Sequence, residues 1–341
     1  MNSSSRNWLY LLSFLPSFFA IYGNLYGGYF SFGNFVFSLG VLATFEWITK
    51  EFLSNQASEK DDVIPKFILL LHIPLQLISI GSLFYGIYSQ SLTGFFIIGA
   101  ALSTSLNSGS SAIIVSHEYI HRKVKYERML GKLLLFSAGN MYFYIDHLKV
   151  HHKWVGTDKD HATAKYGENL YQFFIRSVSG QFWGAIAIEA QRLKTENKWA
   201  YGFENYVIRQ IILQVLLLIS IYYFIGVDAI IAWGLQCFFA NFLLEYVNYI
   251  QHYGLSRDYK ERVTEEHSWQ SDRFISRFVL VDLSRHADHH YYASKPYHTL
   301  ITYPNSPILP AGYAGLFFIA AVPPLWFKIM HPKIEQLKVS A

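Results

Sequence analysis

Six stretches of this chain are apolar over most of a membrane's thickness: residues 8–22, 29–48, 67–87, 92–115, 211–227 and 229–249. Each predicts a transmembrane helix, and short turns at 23–28, 88–91 and 226–228 pair them as three hairpins. The turns hold no Lys or Arg. Basic residues fall instead at the N-terminus, between residues 50 and 66, and in the long polar stretches after the fourth and sixth spans. By the excess of cations on the cytoplasmic side, both termini and both polar stretches are expected in the cytoplasm, as for a protein of the bacterial inner membrane. The first stretch carries Pro16 and lacks a small-residue cleavage site, so a cleaved leader is not expected. The last apolar stretch holds Pro310, Pro323 and Pro324 and runs into Lys328 and Lys333, which predicts a segment over 308–341 lying at the membrane surface.

The expected fold is therefore an all-α membrane protein, a single domain over 1–341 with six transmembrane helices in three hairpins. A cytoplasmic, histidine-rich helical cap is built from 116–208 and 250–307. Composition agrees, since 52% hydrophobic and 15% charged residues are too apolar for a soluble domain of 341 residues. The lone cysteine, Cys237, leaves no disulfide framework and no thiolate cluster. The expected surroundings are a lipid bilayer and an apolar substrate, with no nucleic acid.

Nine of the 14 histidines interrupt this pattern in four short boxes. They are His117 and His121; His147, His151 and His152; His252; and His286, His289 and His290. Residues four apart on a helix share a face, so each such pair aims two imidazoles at one point. Imidazole suits zinc, copper, iron and nickel alike. Nine ligands exceed what one metal takes, which predicts two ions with four or five nitrogens each. Glu118, Asp146 and Asp288 adjoin the boxes, and Asp158 and Asp160 follow the second. Glu245 lies on a polar stripe with Asn241 and Asn248 that ends at His252. These acids are candidates to accept the second N–H of a ligand imidazole, or else to serve as loop charges and helix caps. His72, His161, His267, His298 and His331 stand alone and are expected to be structural.

HEYIHRK, DHLKVHHKWVGTDKDHATA, NYIQHYGL and HSWQSDRFISRFVLVDLSRHADHH closely resemble the integral-membrane alkane 1-monooxygenases and the related xylene monooxygenases, within the fatty acid desaturase and hydroxylase superfamily. The resemblance runs from about the fourth span to Pro304. HYGL and the H-x3-HH spacing favour the alkane branch, because desaturases usually carry H-x2-HH in the second box. It implies a non-haem di-iron centre on all nine histidines and O2-dependent hydroxylation of the terminal methyl of medium-chain alkanes. It also implies electrons from a rubredoxin with its own reductase. Gln251, His161 and the Tyr291–Tyr292 pair depart from the family's usual residues. A desaturase or hydroxylase of fatty acyl lipids, a xylene-type methyl monooxygenase and a non-enzymatic metal protein remain as alternatives.

A lipid-soluble substrate calls for a cavity between the spans that ends at the histidines. Phe35, Phe37 and Phe45 are candidates to limit its length. Ser103, Ser105, Asn107, Ser108, Ser110 and Ser111 predict close or polar packing of the fourth span. The chain has neither a dinucleotide fingerprint nor a cysteine set for an iron–sulfur centre, so reducing equivalents are expected from a separate, acidic protein. Arg122, Lys123, Lys125, Arg128, Lys149, Lys153 and Lys159 are the cations to receive it, within a net charge of +4.

Overall fold

The computed structural model describes residues 6–55 and 63–340; residues 1–5, 56–62 and 341, which belong to the expected N-terminal, second-connection and C-terminal segments, lie outside it. In chain order the principal helices begin with α1 (Trp8–Tyr26), α2 (Gly28–Ile48), α3 (Val63–Tyr88) and α4 (Phe95–Ile120). A polar section follows, with α5 (Lys125–Ser137), a helical run α6 over residues 143–154, and α7 (Leu170–Thr195). Two more apolar helices are α8 (Tyr206–Phe224) and α9 (Val227–His252). After them come α10 (Phe274–Val279), α11 (His286–Tyr291), α12 (Tyr313–Ala320) and α13 (Pro323–Ser340). No strand forms among the described residues beyond two isolated bridges.

Six helices, α1 to α4, α8 and α9, are long and apolar enough to cross a membrane, as the hydropathy pattern predicts. Their ends differ from the apolar runs where polar residues extend a helix. Asn205 caps α8 by accepting from the backbone of Val207 and Ile208, so α8 starts five residues before the expected 211. α4 and α9 continue past the apolar runs to Ile120 and His252, carrying His117 and His252 on their last turns. The final segment is a pair of helices bent by 120°, α12 against α13. Eight residues of α12 rise only about 12 Å, too little to span alone. Trp326 and Met330 of α13 are fully buried in a cluster with Tyr249 and Tyr253 from the end of α9 and the turn after it.

Inside the bundle, polar side chains meet one another. His72 on α3 lies between Ser13 on α1 and Ser111 on α4, at 2.9 Å from each. Asn24 donates to the Ser79 carbonyl and contacts Ser82 Oγ and Thr104 Oγ1, all at 3.1 Å. Without hydration, such partners are what makes buried amides and hydroxyls tolerable. The serines of α4 thus pack α1, α3 and α4 closely. α8 is the opposite case: only 11% of its most apolar stretch is buried, so most of it lies on the outside of the bundle.

The stretch leading into α11 is fixed by a buried charge cluster. Val281 and Asp282 adopt left-handed backbone at φ 43° and 53°, costly for a β-branched valine. Asp282 accepts from Arg6 at 2.8 Å and from Arg277 at 2.6 Å, and from the Tyr10 hydroxyl. Arg285 reaches Asp272 at 2.9 Å and the Leu300 carbonyl at 2.7 Å. Burial alone would raise the Asp282 carboxyl, but Arg277, Arg285 and Arg6 pull it down to about 2. Its contribution to stability is therefore complete above pH ~4, the unfolded value, and lost as pH falls towards 2. Asp282→Ala should destabilise by about 3–5 kcal/mol, because two buried guanidiniums lose their partner. Thermal unfolding in detergent is the measurement, and a loss under about 1 kcal/mol would refute the assignment.

Candidate metal centre and its cavity

The nine boxed histidines meet at one end of the bundle in two groups. One holds His117, His121, His147, His152 and His289; the other holds His151, His252, His286 and His290. Within each group one nitrogen per ring lies within 4.8 Å of all the others. In the first, the Nε2 atoms of His121, His147 and His152 form a triangle with sides of 2.9, 3.0 and 3.1 Å, and His289 Nε2 stands 3.1 Å from that of His152. In the second, His286 and His290 present Nε2 atoms 2.9 Å apart.

One sequence expectation fails here. His147 and His151, four apart, do not share a target: His147 pairs with His152, five residues on, and His151 turns to the other group. The cause is local, since His147–His151 is a π-helical turn. Its wider winding sets the residues four and five on to either side of His147's direction, so that His152 reaches one group and His151 the other. His117 with His121, and His286 with His290, do pair as spacing of four predicts.

The outward nitrogens decide what the inward ones can do. His151 donates its Nδ1–H to Asp160 at 2.9 Å, and His252 its Nδ1–H to the His267 carbonyl at 3.3 Å. Their Nε2 atoms are then bare acceptors, buried and without a hydrogen-bond partner, as is His117 Nε2. Burial, reinforced by neighbouring histidines, holds His147, His152, His286, His289 and His290 well below the ordinary imidazole range, and His121 near 4. Neutral imidazoles converging lone pair to lone pair repel unless a cation lies among them. The donor set fits two transition-metal ions.

Asp160 bonds a boxed histidine and is in turn held by Thr163 Oγ1 at 2.6 Å. Burial opposes its charge, but His151 and these hydrogen bonds outweigh it and lower its pKa. Of the four acids singled out by adjacency or by the α9 stripe, three engage other groups. Glu118 accepts from Arg122 and from the Tyr297 amide. Glu245 accepts from Gln181 on α7 at 2.9 Å, joining two helices. Asp288 takes Lys295 at 2.5 Å, the Ile301 amide and the Tyr303 hydroxyl. Asp146 Oδ1 is buried without a partner, and burial together with Asp160 and Glu245 pushes its carboxyl well up. Adjacency in sequence does not aim a carboxylate at a ring whose free N–H points elsewhere. Asp158, also a candidate, accepts from Tyr259.

An apolar cavity runs from the histidines into the spans. His117, His147 and His286 close one end; Leu39, Leu42, Ile113, Leu243, Val247 and Leu283 are among its walls, and Pro16, Ser38 and Leu106 also border it. From His117 to Leu106 along α4 is eleven residues, about 16 Å. Phe35, Phe37 and Phe45 do not line it; Phe45 is 45% exposed and Phe37 stacks on Phe19. A second π-helical turn at Phe37–Leu42 faces Ser38, Leu39 and Leu42 inward in their place, and a third at Ser108–Ile113 forms the opposite wall.

Three lining residues were not picked out as site residues. Phe143 stacks on His147 at 4.6 Å. Gln251, noted only as a family departure, donates to the Tyr313 hydroxyl at 2.7 Å. Glu46 carries a signal that sequence offers, being, like Glu245, an acid within an apolar span. Of the other departures, His161 packs its ring against Gly180, and Tyr291 and Tyr292 pack on each other at a tilt of 45° outside both groups.

The sequence pattern of the fatty acid desaturase family matches residues 91–320. An alkane 1-monooxygenase of Pseudomonas putida is 32% identical over 86% of this chain and 76% of its own length. Alkane 1-monooxygenase 2 of Alcanivorax borkumensis is 31% identical over 90% and 83% respectively. The hydroxylase component of the xylene/toluene monooxygenase of Pseudomonas putida is 27% identical over 78% and 73%.

Proposed function

This chain belongs to the fatty acid desaturase family, in its alkane monooxygenase branch, and on that premise we propose that it hydroxylates the terminal methyl of medium-chain alkanes at a non-haem di-iron centre. The nine histidines in their groups of five and four are the proposed ligands. The observation that carries the reading is the placement of bare imidazole nitrogens at the end of an apolar cavity reaching about 16 Å into the spans. Two irons there would supply the O2-dependent oxidation of an unactivated C–H bond, for which no side chain is reactive enough. The chain itself binds, orients and excludes water. Asp160 holds His151 in the tautomer that turns Nε2 inward. Phe143 fixes the plane of His147 by stacking. Leu39, Leu42, Leu243 and Val247 give a linear chain an apolar bed along the spans, from which it presents a methyl to His117, His147 and His286.

Octane given, with O2 and reduced rubredoxin, to membranes containing the protein should yield mainly 1-octanol by mass spectrometry. Predominantly internal octanols, or octenes, would refute end-on entry.

The histidine end is proposed to lie in the cytoplasm, with the cap over 116–208 and 250–307 and the electron donor an acidic rubredoxin served by a separate reductase. Lys153 and Lys159 are exposed and flank Trp154, two residues from His152, with both ammonium groups over its ring. Reversing Lys149 and Lys153 to Glu should slow rubredoxin-driven turnover several-fold more than dithionite-driven turnover, and added salt should weaken only the former. Equal losses with both electron sources would assign these lysines to the fold.

A further inference from the structure

Three partly exposed cations meet at the flank of the bundle where α8 begins, and no carboxylate pairs with them. Arg128 and Lys132 stand four apart on α5, so they share a face, and Arg209 stands on the first turn of α8. Lys132 Nζ lies 3.9 Å from the centre of the Tyr144 ring and 5.0 Å from that of Tyr206. The Arg209 guanidinium lies 5.7 Å from the same Tyr206 ring and 5.9 Å from that of Phe203. Aromatic rings attract cations but carry no charge to neutralise them. Glu189, the acid whose field reaches Lys132, is already held by Arg192 at 2.9 and 3.0 Å and by the Tyr206 amide at 3.1 Å. Burial, then Arg128 and Arg209, lower the pKa of Lys132 against the pull of Glu189. Among the described residues none of the three cations has an ion pair.

The surroundings are those of a membrane edge. The rings beside Arg209 belong to residues that precede it, so its side chain points back towards the start of the span. Leu213 and Leu216, four and seven residues on, continue its face along α8 and are exposed. Gln214 ties this part of α8 to α5 by donating to the Phe136 carbonyl at 2.7 Å. Cations therefore stand at the head of an exposed apolar strip. A phosphodiester carrying acyl chains fits both parts, whereas a soluble anion or an acidic protein would leave the strip bare. We propose that Arg128, Lys132 and Arg209 bind the phosphate of one anionic phospholipid, with an acyl chain along Leu213 and Leu216. The phosphate offsets the repulsion between α5 and α8 beside Tyr144, three residues before His147.

Native mass spectrometry of the full-length protein in neutral detergent reads this binding without turnover. The titrants are phosphatidylglycerol and phosphatidylcholine of the same chains, the choline of the second cancelling its phosphate charge. The unaltered protein should retain one phosphatidylglycerol about tenfold or more tightly than phosphatidylcholine. Lys132→Gln combined with Arg209→Gln should erase that preference. Lys165→Gln combined with Lys260→Gln removes the same charge from exposed positions elsewhere and should leave it intact. Equal retention of the two lipids by the unaltered protein overturns the proposal, and this comparison stands even if the first double variant does not fold. So does an equal loss in both double variants, which would make the attraction a property of the whole basic surface. Displacement of the lipid by inorganic phosphate at constant ionic strength would assign the cations to a free anion and overturn it too.

Discussion

His289→Ala should lose bound iron and turnover together, from about two irons per chain to one or none. His289 Nε2 lies 3.1 Å from His152 Nε2, and its ring packs on that of His117 with centroids 4.2 Å apart, so its removal opens the group of five at its middle. Losing only a hydrogen-bond partner of a metal ligand costs roughly 10–100-fold, so losing the ligand itself should exceed the upper figure. His331→Phe is the control. His331 donates to or accepts from the Tyr253 hydroxyl at 2.9 Å and belongs to neither group, so this variant should keep its iron even where it loses some thermal stability. Metal analysis by mass spectrometry, beside octane turnover, reads both quantities. Full iron and full activity in His289→Ala would end the ligand assignment.

The second large effect is on substrate length. Gly109 lines the cavity on α4, eight residues or about 12 Å below His117. A Cβ there would meet Leu243 Cδ1 at 3.5 Å, an ordinary contact, so a side chain can begin at this position. The remaining atoms of a leucine must enter the cavity and shorten it. Gly109→Leu should shift the ratio of kcat/KM for octane over hexadecane by tenfold or more towards the shorter chain. A ratio that does not move would mean that long chains take another path.

The hydropathy pattern is local, which is why six spans and nine boxed histidines are legible in the sequence alone. Partition of the histidines was not. A π turn changes which residues share a face, and nothing in HLKVHH distinguishes a winding of 3.6 from one nearer 4.4. The same shift hid the cavity wall, where bulky Phe35 and Phe37 draw attention and Ser38, Leu39 and Leu42 do the lining. Asp160, one of the acids named from the sequence for this role, does accept from His151; what the sequence left open is which of those acids does so, since Asp160 lies nine residues on, on a loop whose path is set by tertiary contacts, whereas Glu118 and Asp288 adjoin histidines yet point towards Arg122 and Lys295. Glu46 is legible as an intramembrane acid, but its seat is formed by Ser276 and Gly312, more than 200 residues away.

The three π turns, at Phe37–Leu42, Ser108–Ile113 and His147–His151, all border the cavity or the histidines. Each stores one residue that a regular helix would not need. Deleting that residue would rewind the turn to α geometry, which leaves the helix beyond it facing as before and re-aims the residues within the turn. A one-residue gap that would be harmless in a surface loop would, at these three places, re-aim a wall or a ligand. When related chains are aligned, gaps falling there mark a change in the shape of the reaction chamber, and gaps in the connecting loops mark only chain length.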